Sequence, residues 1–141
     1  MHRTRLLACA CLLLCATQAL AVPLDIPPTH PRLWYGNPAR LAQARAYFQT
    51  TPFTPAGGDA TELNTARALR GLLLNSSADC TQAATHLANW TTTGQGPFRD
   101  AIRQQGDGLL QIYDWRHGSL TPAQISTLVA RWNGYLDTEN A

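Results

Sequence analysis

Residues Tyr113-Asp114-Trp115-Arg116-His117 place a phenol, a carboxylate, an indole, a guanidinium and an imidazole in unbroken succession. A phenol or an imidazole serves as general base or acid. A guanidinium grips a carboxylate through two parallel N–H bonds, and an indole offers a flat apolar face on which a sugar ring can stack. Together these groups suit an acidic sugar. Their chemistry would be proton transfer on a ligand whose carboxylate is neutralised by the guanidinium. Consecutive helical positions point all around the axis, so the set cannot meet one substrate together. Substrate binding is therefore assigned to Tyr113, Trp115, Arg116 and His117, and no catalytic residue is assigned. A structural role competes: Tyr113 continues the apolar stripe of Leu109 and Ile112, and Asp114 is placed to cap a neighbouring helix.

Other constellations are weaker. His30, His86 and His117 are isolated, with no HxxxH, HExxH or CxxC spacing, so no metal site is expected. There is no GxSxG elbow. Cys80 and His86 are separated by about 240° of helical rotation and form no dyad. Asp107 and Asp114 share a helical face with a rise of about 10.5 Å between them. That is wide for a paired-carboxylate hydrolase, which needs roughly 5–9.5 Å. Asn75-Ser76-Ser77 and Asn89-Trp90-Thr91 match a glycosylation sequon but read as turn and cap residues.

Helices must position these groups. Prolines 23, 27, 28 and 31 make residues 22–36 an extended arm. Asn37-Pro38 supplies an N-cap and a first-turn proline for a helix over 38–49 carrying Leu41, Ala44, Arg45 and Phe48 on one face. A second helix is expected over 60–74 and a third over 78–90, the latter with Cys80, Ala83, Ala84 and Leu87 facing inward. The fourth spans 97–115. Gly106 and Gly108 interrupt it at roughly 1 kcal/mol each, a cost that points to a close approach or a tolerated irregularity. Thr121 and Gln124 form a capping box for a last helix bearing Ile125, Leu128, Val129, Trp132 and Leu136. No segment alternates as a strand. The expected class is all-α, with the second and third helices forming one antiparallel hairpin and the fourth and fifth another.

The first 21 residues read as a secretory signal peptide: Arg3 and Arg5, an apolar run over 6–16, then Ala19-Leu20-Ala21 as the cleavage site. The apolar run is too short to span about 30 Å of hydrocarbon, so no membrane attachment is expected after cleavage, and the product is periplasmic or secreted. Cleavage removes Cys9, Cys11 and Cys15 and leaves Cys80 alone, without a disulfide and expected as a small buried hydrophobe. It also leaves nine arginines against nine acidic residues, with no lysine in the chain. A balance of zero argues against a nucleic-acid partner. Charged residues are 14% of the chain, where about a quarter is usual.

Two stretches carry a family resemblance. His30-Pro31-Arg32-Leu33-Trp34-Tyr35 with Asn37-Pro38-Ala39-Arg40-Leu41 resembles the opening of secreted polysaccharide lyases of the heparinase II/III and alginate lyase type. Tyr113-Asp114-Trp115 with Leu120-Thr121-Pro122-Ala123-Gln124 resembles a helix-turn-helix of their α/α-toroid domain. The resemblance implies that residues 37–141 form part of an incomplete α/α toroid whose inner helices line a sugar cleft. It implies β-elimination on a uronic-acid polysaccharide, no cofactor, and a β-sandwich domain after the remaining hairpins. The catalytic Tyr and His of the family generally come from later hairpins, so the chain is expected to be an inactive fragment with an uncovered apolar flank. The alternatives are a fragment of an α/α-barrel glycoside hydrolase and a non-catalytic helical carbohydrate-binding module.

Overall fold

The computed structural model describes residues 29–92 and 98–139. The expected signal peptide over 1–21 and residues 22–28 of the arm lie outside the described residues. Five α-helices follow the arm: α1 (Pro38–Thr50), α2 (Ala60–Leu74), α3 (Ser77–Asn89), α4 (Phe98–Arg116) and α5 (Pro122–Glu139). A 3-10 turn, His117–Ser119, joins α4 to α5, and no strand occurs among the described residues.

Local chemistry starts the helices where the sequence indicates. The Asn37 side chain accepts from the backbone N–H groups of Ala39 and Arg40 at 2.9 and 3.2 Å, ahead of Pro38. Asp59 accepts from Thr61 and Glu62 at 2.7 and 2.9 Å to open α2. At α5, Thr121 N–H donates to Gln124 Oε1 and Gln124 N–H donates to Thr121 Oγ1, a reciprocal pair that satisfies two otherwise orphaned donors.

Asn75 ends α2 in the left-handed conformation, φ 55°. A link as short as Asn75-Ser76 folds α3 back against α2. Small side chains make that contact close: Ala68, Ala83 and Ala84 are buried, and a Cβ on Gly71 would lie 2.6 Å from Cys80 Sγ. Gly108 does the same between α2 and α4, where a Cβ would lie 2.8 Å from Thr65 Oγ1. Of the two glycines flagged in α4, it is Gly108 that admits another helix. At Gly106 a Cβ would first meet Ile102 of its own helix, at 3.0 Å.

This close approach revises the expected pairing. The principal partner of α4 is α2, and its contact with α5 is slight. The core is therefore a three-helix unit of α2, α3 and α4, with Leu72 buried and Leu87, Leu109 and Ile112 fully enclosed, each contributing about 1.5–3 kcal/mol by burial. Helix α1 lies on α2 without burying any residue of its own; Leu41 and Phe48 are half-covered. Among the described residues of α5 only Leu128 is buried, while Val129 and Leu136 are 44% and 50% exposed. Arg131 ties α5 to the end of α3 by donating to the Ala88 and Trp90 carbonyls, both at 2.9 Å.

One polar network crosses the core. Thr61 Oγ1 donates to Gln105 Oε1 at 2.8 Å, Trp90 Nε1 donates to the same oxygen at 2.7 Å, and His86 Nε2 lies 3.1 Å from Thr61 Oγ1. Thr61 spends its only proton on Gln105, so His86 donates through Nε2. Burial holds the His86 imidazole below its ordinary pKa, with Asp59 opposing and Arg67 reinforcing.

Candidate functional site

The end of α4 captures the arm. Asp114 is 4% exposed, and its carboxylate accepts the backbone N–H of Arg32 with both oxygens at 2.8 Å and that of Leu33 at 2.8 Å. The same carboxylate meets His30 Nδ1 at 2.5 Å. An ionised carboxylate only accepts, so Nδ1 carries the proton and Nε2 is the His30 nitrogen left to exchange one. Trp115 Nε1 donates to the Leu33 carbonyl at 3.2 Å. The His30–Pro31 peptide bond is cis. Asp114, expected as a helix cap, thus clamps a turn of the arm, and His30, expected to be isolated, is its partner.

These bonds hold a tight turn at Leu33-Trp34-Tyr35, closed by Tyr35 N–H to the Leu33 carbonyl at 2.6 Å. Trp34 sits at φ 62°, a conformation that costs a bulky residue on the order of 1–3 kcal/mol. Asp114 on the Leu33 N–H and Trp115 on the Leu33 carbonyl hold the residue that precedes Trp34. The Trp34 indole is 71% exposed.

Three rings gather beside the clamp. His30 stacks on His117 with centroids 4.0 Å apart, and Tyr113 meets both edge-on at 5.9 and 5.3 Å. His30, Tyr113 and His117 are each half-buried. His117 is held below its ordinary pKa by desolvation first, then by His30 and Arg32, with Asp114 opposing. The cluster therefore offers a carboxylate-oriented imidazole, a second imidazole that favours its neutral form, and a phenol. Those groups can bind hydroxyls and carboxylates and pass a proton.

The four residues assigned to substrate from the sequence do not converge. Tyr113 and His117 join His30. Trp115 is buried, engaged with the arm, and borders a cleft of about 310 Å³ with Asp59, Glu62, Gln104 and Gln111. Arg116 turns to the α2–α3 side, where it is 6% exposed and bonds Cys80 Sγ through Nη1. Burial lowers its pKa from the usual guanidinium value, against the pull of Cys80. Cys80 is half-exposed rather than enclosed, because it lines a cleft of about 530 Å³, with Arg116 covering the sulfur from one side. The hydrolase pair is not assembled: Asp107 is exposed, whereas Asp114 is buried with both oxygens occupied by the arm.

Sequence reasoning missed His30 and Trp34. Their signal was present in the His30-Pro31-Arg32-Leu33-Trp34-Tyr35 stretch, but nothing local revealed that it folds onto a carboxylate more than eighty positions away. Among the described residues no three His, Cys, Asp or Glu side chains gather to hold a metal ion, and no helix is long and apolar enough to cross a membrane. Compared with known protein families, curated proteins and solved structures, the chain matches none.

Proposed function

We propose that the chain is the amino-terminal helical part of an exported polysaccharide lyase, an incomplete α/α toroid that cleaves a uronic-acid polymer by β-elimination and is inactive without its further hairpins. The observation that carries this reading is the docking of the two lyase-like stretches on one another: Arg32 and Leu33 of the first are held by Asp114 of the second. The docked unit brings His30, Tyr113 and His117 together, and the docked arm exposes the Trp34 indole. In this reading they contact the acidic sugar, and the proton-abstracting groups come from later hairpins. The exposed Val129 and Leu136 of α5 support a further helical neighbour.

The test uses the longest natural product of the locus on alginate, heparin-like and chondroitin-like polymers. A lyase leaves a conjugated unsaturated sugar that absorbs in the ultraviolet, and this chain alone leaves none. New reducing ends without that absorbance would establish a hydrolase instead. Export is tested by amino-terminal sequencing of the native protein, which should begin at Val22. The cleft beside Trp115, ringed by amides and carboxylates, favours a second reading as a non-catalytic carbohydrate-binding module. Binding of an intact polymer with no cleavage by the longest product would select it.

A further inference from the structure

Arg116 is a buried cation without a carboxylate. Its Nη1 bonds the Cys80 sulfur, its Nε is enclosed with no hydrogen-bond partner, and no acidic side chain among the described residues forms an ion pair with it. An uncompensated buried charge costs several kcal/mol, so such a group ordinarily has an anion close by. The residue lines a cleft of about 530 Å³ between α2, α3 and the 3-10 turn. A second arginine, Arg45, reaches the cleft from α1, steadied by donation from its Nε to the Leu72 carbonyl at 3.1 Å. Ser77, Thr81, Thr85 and Ser119 supply hydroxyls to the lining, which contains no Asp or Glu. Its volume falls within the range of small-molecule sites.

We propose that this cleft binds a small organic oxyanion, whose carboxylate, phosphate or sulfate group is held by Arg116 and Arg45 and whose body contacts the hydroxyl-lined wall beside Cys80. The lining shares no residue with the His30–Tyr113–His117 cluster, so the site stands whether or not the protein is a lyase. Gly71 keeps the floor open, because a Cβ there would lie 3.1 Å from Arg116 Nη1. Arg is suited to this task because its planar fork matches carboxylate and phosphate and keeps its charge when buried.

The test follows alkylation of Cys80 by the neutral reagent N-ethylmaleimide in the full chain, located by peptide mapping. Glucuronate, glycerol phosphate, sulfate and chloride are compared at equal ionic strength, and the thermal unfolding midpoint is measured in parallel. At ten times its dissociation constant a bound anion should slow alkylation about tenfold and raise the midpoint, because only that small fraction of clefts stays free. Protection by glucuronate alone identifies a carboxylate, and protection by glycerol phosphate or sulfate identifies a tetrahedral group; either supports the site. R45Q, at the half-buried edge, should abolish the effect without removing the buried guanidinium, and R116Q should do so where it folds. Equal alkylation rates and midpoints in all four salts, protection by chloride to the same extent, or protection that survives R45Q would overturn it.

Discussion

The Asp114 carboxylate holds the backbone N–H of Arg32 between its two oxygens, each at 2.8 Å, across 82 positions of sequence. A buried acidic side chain on the last turn of α4 thereby sets the path by which the arm enters the fold. It also sets the tautomer of His30, which bonds the same carboxylate through Nδ1.

Asp114→Ala should release the arm. It deletes the acceptor for His30, Arg32 and Leu33 and leaves their donors to find water, at a cost of about 2–4 kcal/mol in urea unfolding. Trypsin should then cut after Arg32 much faster than in the parent. Unchanged stability and unchanged cleavage would show that the clamp contributes nothing.

Two helical glycines should respond in opposite directions. Gly71→Ala places a methyl 2.6 Å from Cys80 Sγ and 3.3 Å from the Cys80 backbone nitrogen, and should cost about 1–3 kcal/mol by forcing α2 and α3 apart. Gly134→Ala meets nothing within 4 Å in the interior of α5 and should stabilise by about 0.5–1 kcal/mol, because alanine has less unfolded-chain freedom to lose. Denaturant midpoints of the two variants check the contrast.

Stability should fall as pH drops from about 7.5 to 5.5. Unfolded histidine takes its proton near pH 6.5, whereas burial depresses the folded values of His86 and His117. The unfolded state therefore binds more protons in this window, and acid favours it. The contribution is fully present above the unfolded value and is lost on descending through it towards the folded one. Asp79, held low by Arg70, adds its own loss only in the carboxylate range. His86→Gln keeps an N–H for Thr61 and should flatten the dependence measured by urea unfolding across pH. A slope that is unaltered would place the titration elsewhere.

Arg131→Met should loosen α5. The substitution keeps the apolar stem and removes the two bonds to the Ala88 and Trp90 carbonyls at the end of α3, a loss of about 1–2 kcal/mol. Amide exchange should accelerate in α5 more than in α2. Equal acceleration in both would mean that α5 is integral to the three-helix core.

The sequence by itself determined the helices. Asn37, Asp59 and the Thr121–Gln124 pair satisfy backbone donors within three residues of themselves, and the apolar period marks the buried residues Ala83, Ala84 and Leu87 of α3 and Ala101, Leu109 and Ile112 of α4, while the stripe read in α1 stays half-covered and that in α5 buries Leu128. Such signals are local, so they are written in the order of the residues. Partners are not. That Gly108 admits α2 rather than relaxing its own helix depends on Thr61 and Thr65 arriving opposite it, and that choice gives α4 its place in the core. The Tyr113-Asp114-Trp115-Arg116-His117 cluster was legible as a concentration of chemistry, but its division was not. Asp114 and Trp115 went to the arm, Tyr113 and His117 to His30, and Arg116 to Cys80, because successive helical side chains point to different neighbours. Which neighbour stands in each direction is decided only when α2, α3 and the arm close around α4.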